Sequence, residues 1–186
     1  MKRIFDILMS LMALVIFFLP LLIVAALVKI TSEGSVLYWS DRIGKNNTIF
    51  KMPKFRTMSI DTPAVATHLL DDPDQYLTPV GDFLRRSSLD ELPQLFSILR
   101  GDMSIVGPRP ALFNQDDLMR LRTAKGIHNL TPGLTGWAQI NGRDELPIPA
   151  KVEFEEYYLQ HQSFGLDMRI IIRTILNVIK SKGVSH

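Results

Sequence analysis

The hydrophobic pattern opens with one long uniform block and continues as short alternating or periodic stretches. Ile7 to Val28 runs 22 residues without a charged side chain. As a straight helix it would rise roughly 33 Å, about the hydrocarbon thickness of a bilayer. Pro20 interrupts the block, deleting a backbone hydrogen bond and clashing with the preceding turn, so a kink is expected just before it. Both flanks are basic: Lys2 and Arg3 precede the block, and residues 29–60 carry six basic groups against two acids. Basic flanks stay on the cytoplasmic side, so both ends ask for the same face. A helix that bends at Pro20 and returns satisfies the charges; a kinked single span satisfies the length. A cleaved signal peptide wants an apolar core of about 7–15 residues and an Ala-x-Ala site. Neither is present, so residues 1–33 are expected to stay as an anchor, followed by a second unit over residues 34–186.

Past the block, Val36-Leu37-Tyr38-Trp39 and Thr48-Ile49-Phe50-Lys51-Met52 flank the polar turn Gly44-Lys45-Asn46-Asn47 and read as a short strand pair. Residues 61–79 lack periodicity and read as a surface loop. Helical spacing returns at Val80, Phe83 and Leu84, breaks at Ser87-Ser88, resumes at Leu92, Leu95, Phe96 and Leu99, and stops at Gly101. Asp90 as N-cap of the second of these helices puts Pro93 at its third position, where the missing N–H would have had no intrahelical partner. Phe164 to Lys182 predicts an amphipathic helix, with Met168, Ile171, Ile172, Ile175, Val178 and Ile179 on one side and Arg169, Arg173 and Lys180 off it. This suits either a helix lying on anionic lipid or a core helix with a solvated basic face.

Composition removes several classes of function. In a chain of 186 residues, 46% hydrophobic and 22% charged side chains exclude intrinsic disorder and collagen-like repeats. The mean hydropathy of +0.12 is owed to the apolar block. Cysteine is absent, which removes disulfides and thiolate chemistry, and the four histidines show no metal-ligand spacing. A net charge of +2 with scattered basic residues gives no footprint for nucleic acid, and no such partner is expected.

The candidate chemistry lies in Arg85-Arg86-Ser87-Ser88-Leu89-Asp90-Glu91, two adjacent carboxylates just behind two arginines. Acids at a helix start are ordinary, because the dipole and free N–H groups favour them. Further on, Gly107-Pro108-Arg109-Pro110 forms a stiff turn, and Thr131-Pro132-Gly133-Leu134-Thr135-Gly136 leads to Asn141-Gly142-Arg143. Arginines on stiff turns suit oxyanion recognition, since the guanidinium fork binds bidentately; the same sequences also serve as plain turns.

The string SLDELPQLFSILRGDMSIVGPRP, with KFRTM upstream and PGLTGWAQINGR downstream, resembles the bacterial sugar transferase family, the monotopic polyprenyl-phosphate phosphoglycosyl transferases. The resemblance covers essentially the entire chain and matches the minimal catalytic unit. It implies an α+β fold: a re-entrant membrane helix kinked at Pro20, then a small, mostly helical cytosolic catalytic domain with a short antiparallel strand pair and interfacial amphipathic helices. It implies transfer of a phospho-sugar from a UDP-sugar to undecaprenyl phosphate, giving a polyprenyl-diphospho-sugar and UMP, with Mg²⁺ as cofactor. Asp90 would be the nucleophile, with Glu91 helping to hold the metal beside it, and Arg85 the best-placed helper. Lys54, Arg56, Arg109, Arg143 and Asp167 would line the site. The implied location is the bacterial cytoplasmic membrane with the catalytic domain on the cytosolic face, in contact with the bilayer and possible as a homodimer.

Two positions depart from the family pattern: Pro53 precedes KFRTM, and Asn46-Asn47 occupies a turn where glycine is frequent. Both bear on strand geometry more than on catalysis. Asp102 reads as a local cap. A membrane-anchored scaffold without activity is the rival reading, against which stand the intact Asp90, Glu91, Arg85 and Arg109. The sugar is not encoded in any motif, and its selectivity is assigned to residues 61–79 and 144–150.

Overall fold

The computed structural model describes residues 1–63, 72–142 and 146–179. The apolar block forms two helices, α1 (Lys2–Ile16) and α2 (Phe18–Thr31), joined at Phe17 with a bend of 64°. The break sits one turn ahead of Pro20, as the covalent geometry requires. Pro20 has no N–H for the Ile16 carbonyl, and its ring collides with that carbonyl in a continuous helix. Among the described residues no single helix is long and apolar enough to cross a membrane; the bent pair taken together meets the length and composition of a span.

The pair is packed into the rest of the chain. Val24 and Val28 of α2 bury against Phe55 and Leu84, while Ala13 and Leu14 of α1 close over Met52, Leu95, Ile98 and Met103. Three polar residues in the first turns of α1 reach distant elements. Lys2 Nζ lies 2.7 Å from Asp167 Oδ2, and Arg3 donates to the Ile98 carbonyl and, at 2.7 Å, to that of Leu99. Asp6 is buried and accepts from Ser104 Oγ at 2.9 Å and from the Ile105 N–H at 3.1 Å. The outer faces of both helices leave Ile4, Leu8, Val15, Phe18, Leu19 and Ile30 exposed.

Strands β1 (Leu37–Ile43) and β2 (Ile49–Phe55) form the expected antiparallel pair, each longer than the alternation indicates. Pro53 stands opposite Trp39 without ending the strand. In the connecting turn, Lys45–Asn47, Asn46 and Asn47 take φ of 55° and 58°, a left-handed conformation that asparagine tolerates better than most side chains. This explains how the turn manages without glycine. Residues 64–71 of the expected loop lie outside the described residues; the remainder contains a 3-10 turn, Pro73–Tyr76, and a bridge from Met58 to Leu77.

The break at Ser87-Ser88 separates α3 (Gly81–Arg86) from α4 (Gln94–Arg100), which ends on a left-handed Gly101. The expected cap is corrected here. Asp90 does not start the second helix but lies in a 3-10 turn, Leu89–Glu91, and α4 begins after Pro93. Because Pro93 cannot close an i to i−4 bond, the chain falls back on i to i−3 bonds, from Leu92 N to the Leu89 carbonyl and from Leu95 N to that of Leu92.

A second sheet, parallel and absent from the sequence reading, joins β3 (Ser104–Val106) to β4 (Gly133–Thr135). Three-residue strands are too short to leave a period. Their pairing brings Gly107 against Gly133, where a Cβ on Gly133 would lie 2.1 Å from the Gly107 nitrogen. The remaining helices are α5 (Asp116–Ala124), α6 (Trp137–Ile140), α7 (Ile148–Gln160) and α8 (Phe164–Ile179). In α8 the expected apolar side is only partly packed, with Ile171 against the core and Met168 half-buried. Asp167, Ile170 and Thr174 face inward, whereas Phe164, Ile172, Ile175, Leu176 and Val178 are exposed. Together with the outer faces of α1 and α2, this leaves many large apolar side chains in the open, the kind of surface that marks an interaction site.

Candidate active site

The site is built on the 3-10 turn between α3 and α4. Ser88, with φ of 56°, reverses the chain just ahead of it, a costly conformation for a side chain other than glycine and one often found at functional sites. The turn then buries Asp90, with Glu91 next to it. Three cations reach the pair from three elements. Lys54, near the end of β2, places Nζ 2.8 Å from Glu91 Oε1 and 3.8 Å from Asp90 Oδ2. Arg109, in the turn after β3, places Nη2 3.2 Å from the same Glu91 oxygen. Arg85, in the last turn of α3, donates from Nε to Thr57 Oγ1 at 3.1 Å, and its charge acts on Asp90.

Burial pushes the Asp90 carboxyl up to about 6, opposed chiefly by Lys54, reinforced by the Glu91 charge and opposed further by Arg85 and Arg109. A carboxylate in that state is largely ionised near neutrality and more basic than an exposed one. The arrangement is a partly desolvated carboxylate set among three cations. Their field suits attack on a phosphorus atom surrounded by anionic oxygens.

The other residues proposed from the sequence fall elsewhere. Arg56 turns its guanidinium to Ser35, donating to its carbonyl at 2.8 Å and its hydroxyl at 3.0 Å. Asp167 serves Lys2 and accepts the Tyr158 hydroxyl at 2.7 Å. Arg56 is thus engaged at Ser35, and Asp167 at Lys2 and Tyr158, instead of at the dyad. Arg143 lies outside the described residues. Asp102 pairs with Arg100 at 3.3 Å. Sequence reading missed Thr57, which holds Arg85; its place inside KFRTM was the available signal.

Among the described residues no group of three or more His, Cys, Asp or Glu is assembled for a metal. The Asp90-Glu91 pair is nonetheless a hard-oxygen donor set of the kind magnesium uses, one or two carboxylates completed by water and substrate phosphate.

The bacterial sugar transferase family model matches residues 1–181. The exopolysaccharide production protein ExoY of Sinorhizobium fredii is 40% identical over 98% of this chain and 87% of its own length. The UDP-N-acetylgalactosamine-undecaprenyl-phosphate N-acetylgalactosaminephosphotransferase of Aeromonas hydrophila is 35% identical over 98% of this chain and 44% of its own length. The UDP-glucose:undecaprenyl-phosphate glucose-1-phosphate transferase of Escherichia coli is 37% identical over 98% of this chain and 41% of its own length. The chain spans less than half the length of these last two.

Proposed function

This chain belongs to the bacterial sugar transferase family, and from that premise we propose that it transfers a phospho-sugar from a UDP-sugar to undecaprenyl phosphate, releasing UMP. It is a phosphoglycosyl transferase, as its named relatives are. The observation that carries the reading is the buried Asp90 beside Glu91 with Lys54, Arg85 and Arg109 around them.

In the first step an Asp90 carboxylate oxygen attacks the sugar-bearing phosphorus, and the bond from that phosphorus to the bridging oxygen breaks. UMP leaves with the electron pair, and Asp90 carries an acyl-linked phospho-sugar. In the second step an oxygen of the polyprenyl phosphate attacks the same phosphorus and Asp90 leaves as carboxylate. Two transfers between anions replace one, each under the same cations. Lys54 and Arg109, already on Glu91, and Arg85, held by Thr57, offset the charge that a diphosphate brings to a buried carboxylate. Asp90 and Glu91 are the residues that would hold Mg²⁺, which when bound supplies further positive charge to the phosphate oxygens.

Release of UMP from a panel of UDP-sugars, measured with undecaprenyl phosphate in detergent or nanodiscs, tests the reaction. One UDP-sugar is expected to turn over and EDTA to stop it, with Mg²⁺ restoring the rate. Lipid binding without turnover on any member of the panel would favour a scaffold. The relatives named for N-acetylgalactosamine and glucose leave the sugar open.

The same reading places α1 and α2 in one leaflet of the bacterial cytoplasmic membrane as a re-entrant pair, with the catalytic unit on the cytosolic face. Two observations support it. The start of α1 is tied to α8, α4 and β3 through Lys2, Arg3 and Asp6, and the end of α2 packs on Phe55 and Leu84, so both ends meet one body. The exposed apolar faces of α1, α2 and α8 supply the lipid contact, and a soluble UDP-sugar can then meet a lipid phosphate at Asp90. Single cysteines at residues 2 and 34 are expected to react with an impermeant thiol reagent from the same side of sealed vesicles. Labelling from opposite sides would replace the hairpin with a kinked span.

A further inference from the structure

Arg122 and Glu155 form an ion pair that the reaction does not use. Arg122 on α5 is 7% exposed and Glu155 on α7 is 2% exposed. Arg122 Nε donates to Glu155 Oε2 at 2.7 Å and Nη2 donates to Oε1, a two-pronged fork. The same Nη2 donates to the main-chain carbonyl of Arg109 at 2.9 Å. A buried pair of this kind adds little stability, since desolvation offsets most of the attraction, and apolar replacements of similar volume are often as stable or more so. An apolar pair, however, could not hold a carbonyl.

The turn at Arg109 is fixed almost atom by atom. Pro108 and Pro110 set their own φ. The Pro108 carbonyl accepts from Gly133 N at 2.8 Å, and that of Pro110 from Arg42 Nη1 at 3.2 Å. What remains is the direction of the Arg109 carbonyl itself, and Arg122 holds it. Three consecutive carbonyls are thus held from β4, α5 and β1, and from this turn Arg109 reaches Glu91 at 3.2 Å.

We propose that Arg122, held by Glu155, is a positioning residue for transfer: it fixes the backbone of Arg109 so that the guanidinium is presented to Glu91 and to the substrate phosphates. The inference rests on the reading that Arg109 serves phospho-sugar transfer. Preset geometry of this kind raises kcat because the cation need not be ordered during the reaction.

The test is a double-mutant cycle on the full chain in nanodiscs, read as kcat and KM for the UDP-sugar with Tm alongside. Arg122→Lys, which cannot both fork Glu155 and reach the carbonyl, is expected to lower kcat about 10-fold or more. The pair Arg122→Met with Glu155→Leu is expected to show the same loss with Tm unchanged or raised. In an Arg109→Ala background either change should cost less than about 2-fold, since the residue being positioned is gone. Full kcat in the Met/Leu variant, or losses that multiply in the Arg109→Ala background, would overturn the proposal while leaving the role of Arg109 intact. A silent Arg109→Ala would remove both. Should the Met/Leu variant not fold, Arg122→Lys with and without Arg109→Ala still decides the matter.

Discussion

Asp90→Asn is expected to abolish UMP release, lowering turnover by at least ~10³-fold, as removal of a covalent nucleophile does elsewhere. The change is close to isosteric, so the 3-10 turn and its burial should survive, and loss of activity would report chemistry instead of folding. An amide nitrogen or oxygen in that position is neither charged nor able to leave again as a carboxylate. Intact-mass measurement after mixing with the UDP-sugar alone, without lipid acceptor, should show a phospho-sugar adduct on the parent protein and none on the variant. Full activity in Asp90→Asn would end the covalent reading. Retained exchange of UMP into UDP-sugar by the variant would do the same, because that exchange requires the first step to run in both directions.

Lys54→Met carries the next largest expected effect, a fall in kcat/KM of about 10²-fold or more, comparable to removing one donor from a developing charge. Methionine keeps most of the packing volume of the lysine stem. It removes the ammonium group 2.8 Å from Glu91 and 3.8 Å from Asp90. Two carboxylates would then share a largely buried site with one cation fewer, and the incoming diphosphate would meet more repulsion. Stability should fall as well, by ~1–3 kcal/mol, because a buried charge loses its partner. A Tm several degrees lower by thermal unfolding, together with the kinetic loss, is the expected pair of results. Unchanged turnover would mean that Lys54 only braces Glu91 and takes no part in binding the phosphates.

How much of this was legible in advance differs from element to element. The bent apolar pair was visible because a proline in a long hydrophobic run has one steric consequence, and it falls within four residues. The strand pair showed through alternation, and the break before the dyad through Ser87-Ser88. The dyad itself stood out through resemblance to a family, since acids near a helix start are common. The cap was misjudged because the pattern shows where a helix could begin but not which hydrogen bonds a proline forces it to give up. For α8 the pattern left two coverings open, lipid or core, and the structure turns Ile170 and Asp167 to the body while leaving Ile172 and Ile175 in the open. Hydrophobicity states that a surface avoids water; it does not say whether protein or lipid covers it.

By itself the sequence determined the local features: the helix break ahead of Pro20, the polar turn between the paired strands, the stiff prolines around Arg109 and the presence of two adjacent carboxylates. Each follows from sterics or periodicity over a few residues. Tertiary structure alone decided which cation meets which carboxylate. Lys54 in β2 and Arg56 just past its end are two residues apart, yet one turns to Glu91 and the other to Ser35. Arg122 finds Glu155 and the Arg109 carbonyl through the packing of α5 on α7. Contacts at such separations depend on how whole elements dock, which is settled by burial of all their faces together and leaves no trace in the spacing of any one motif.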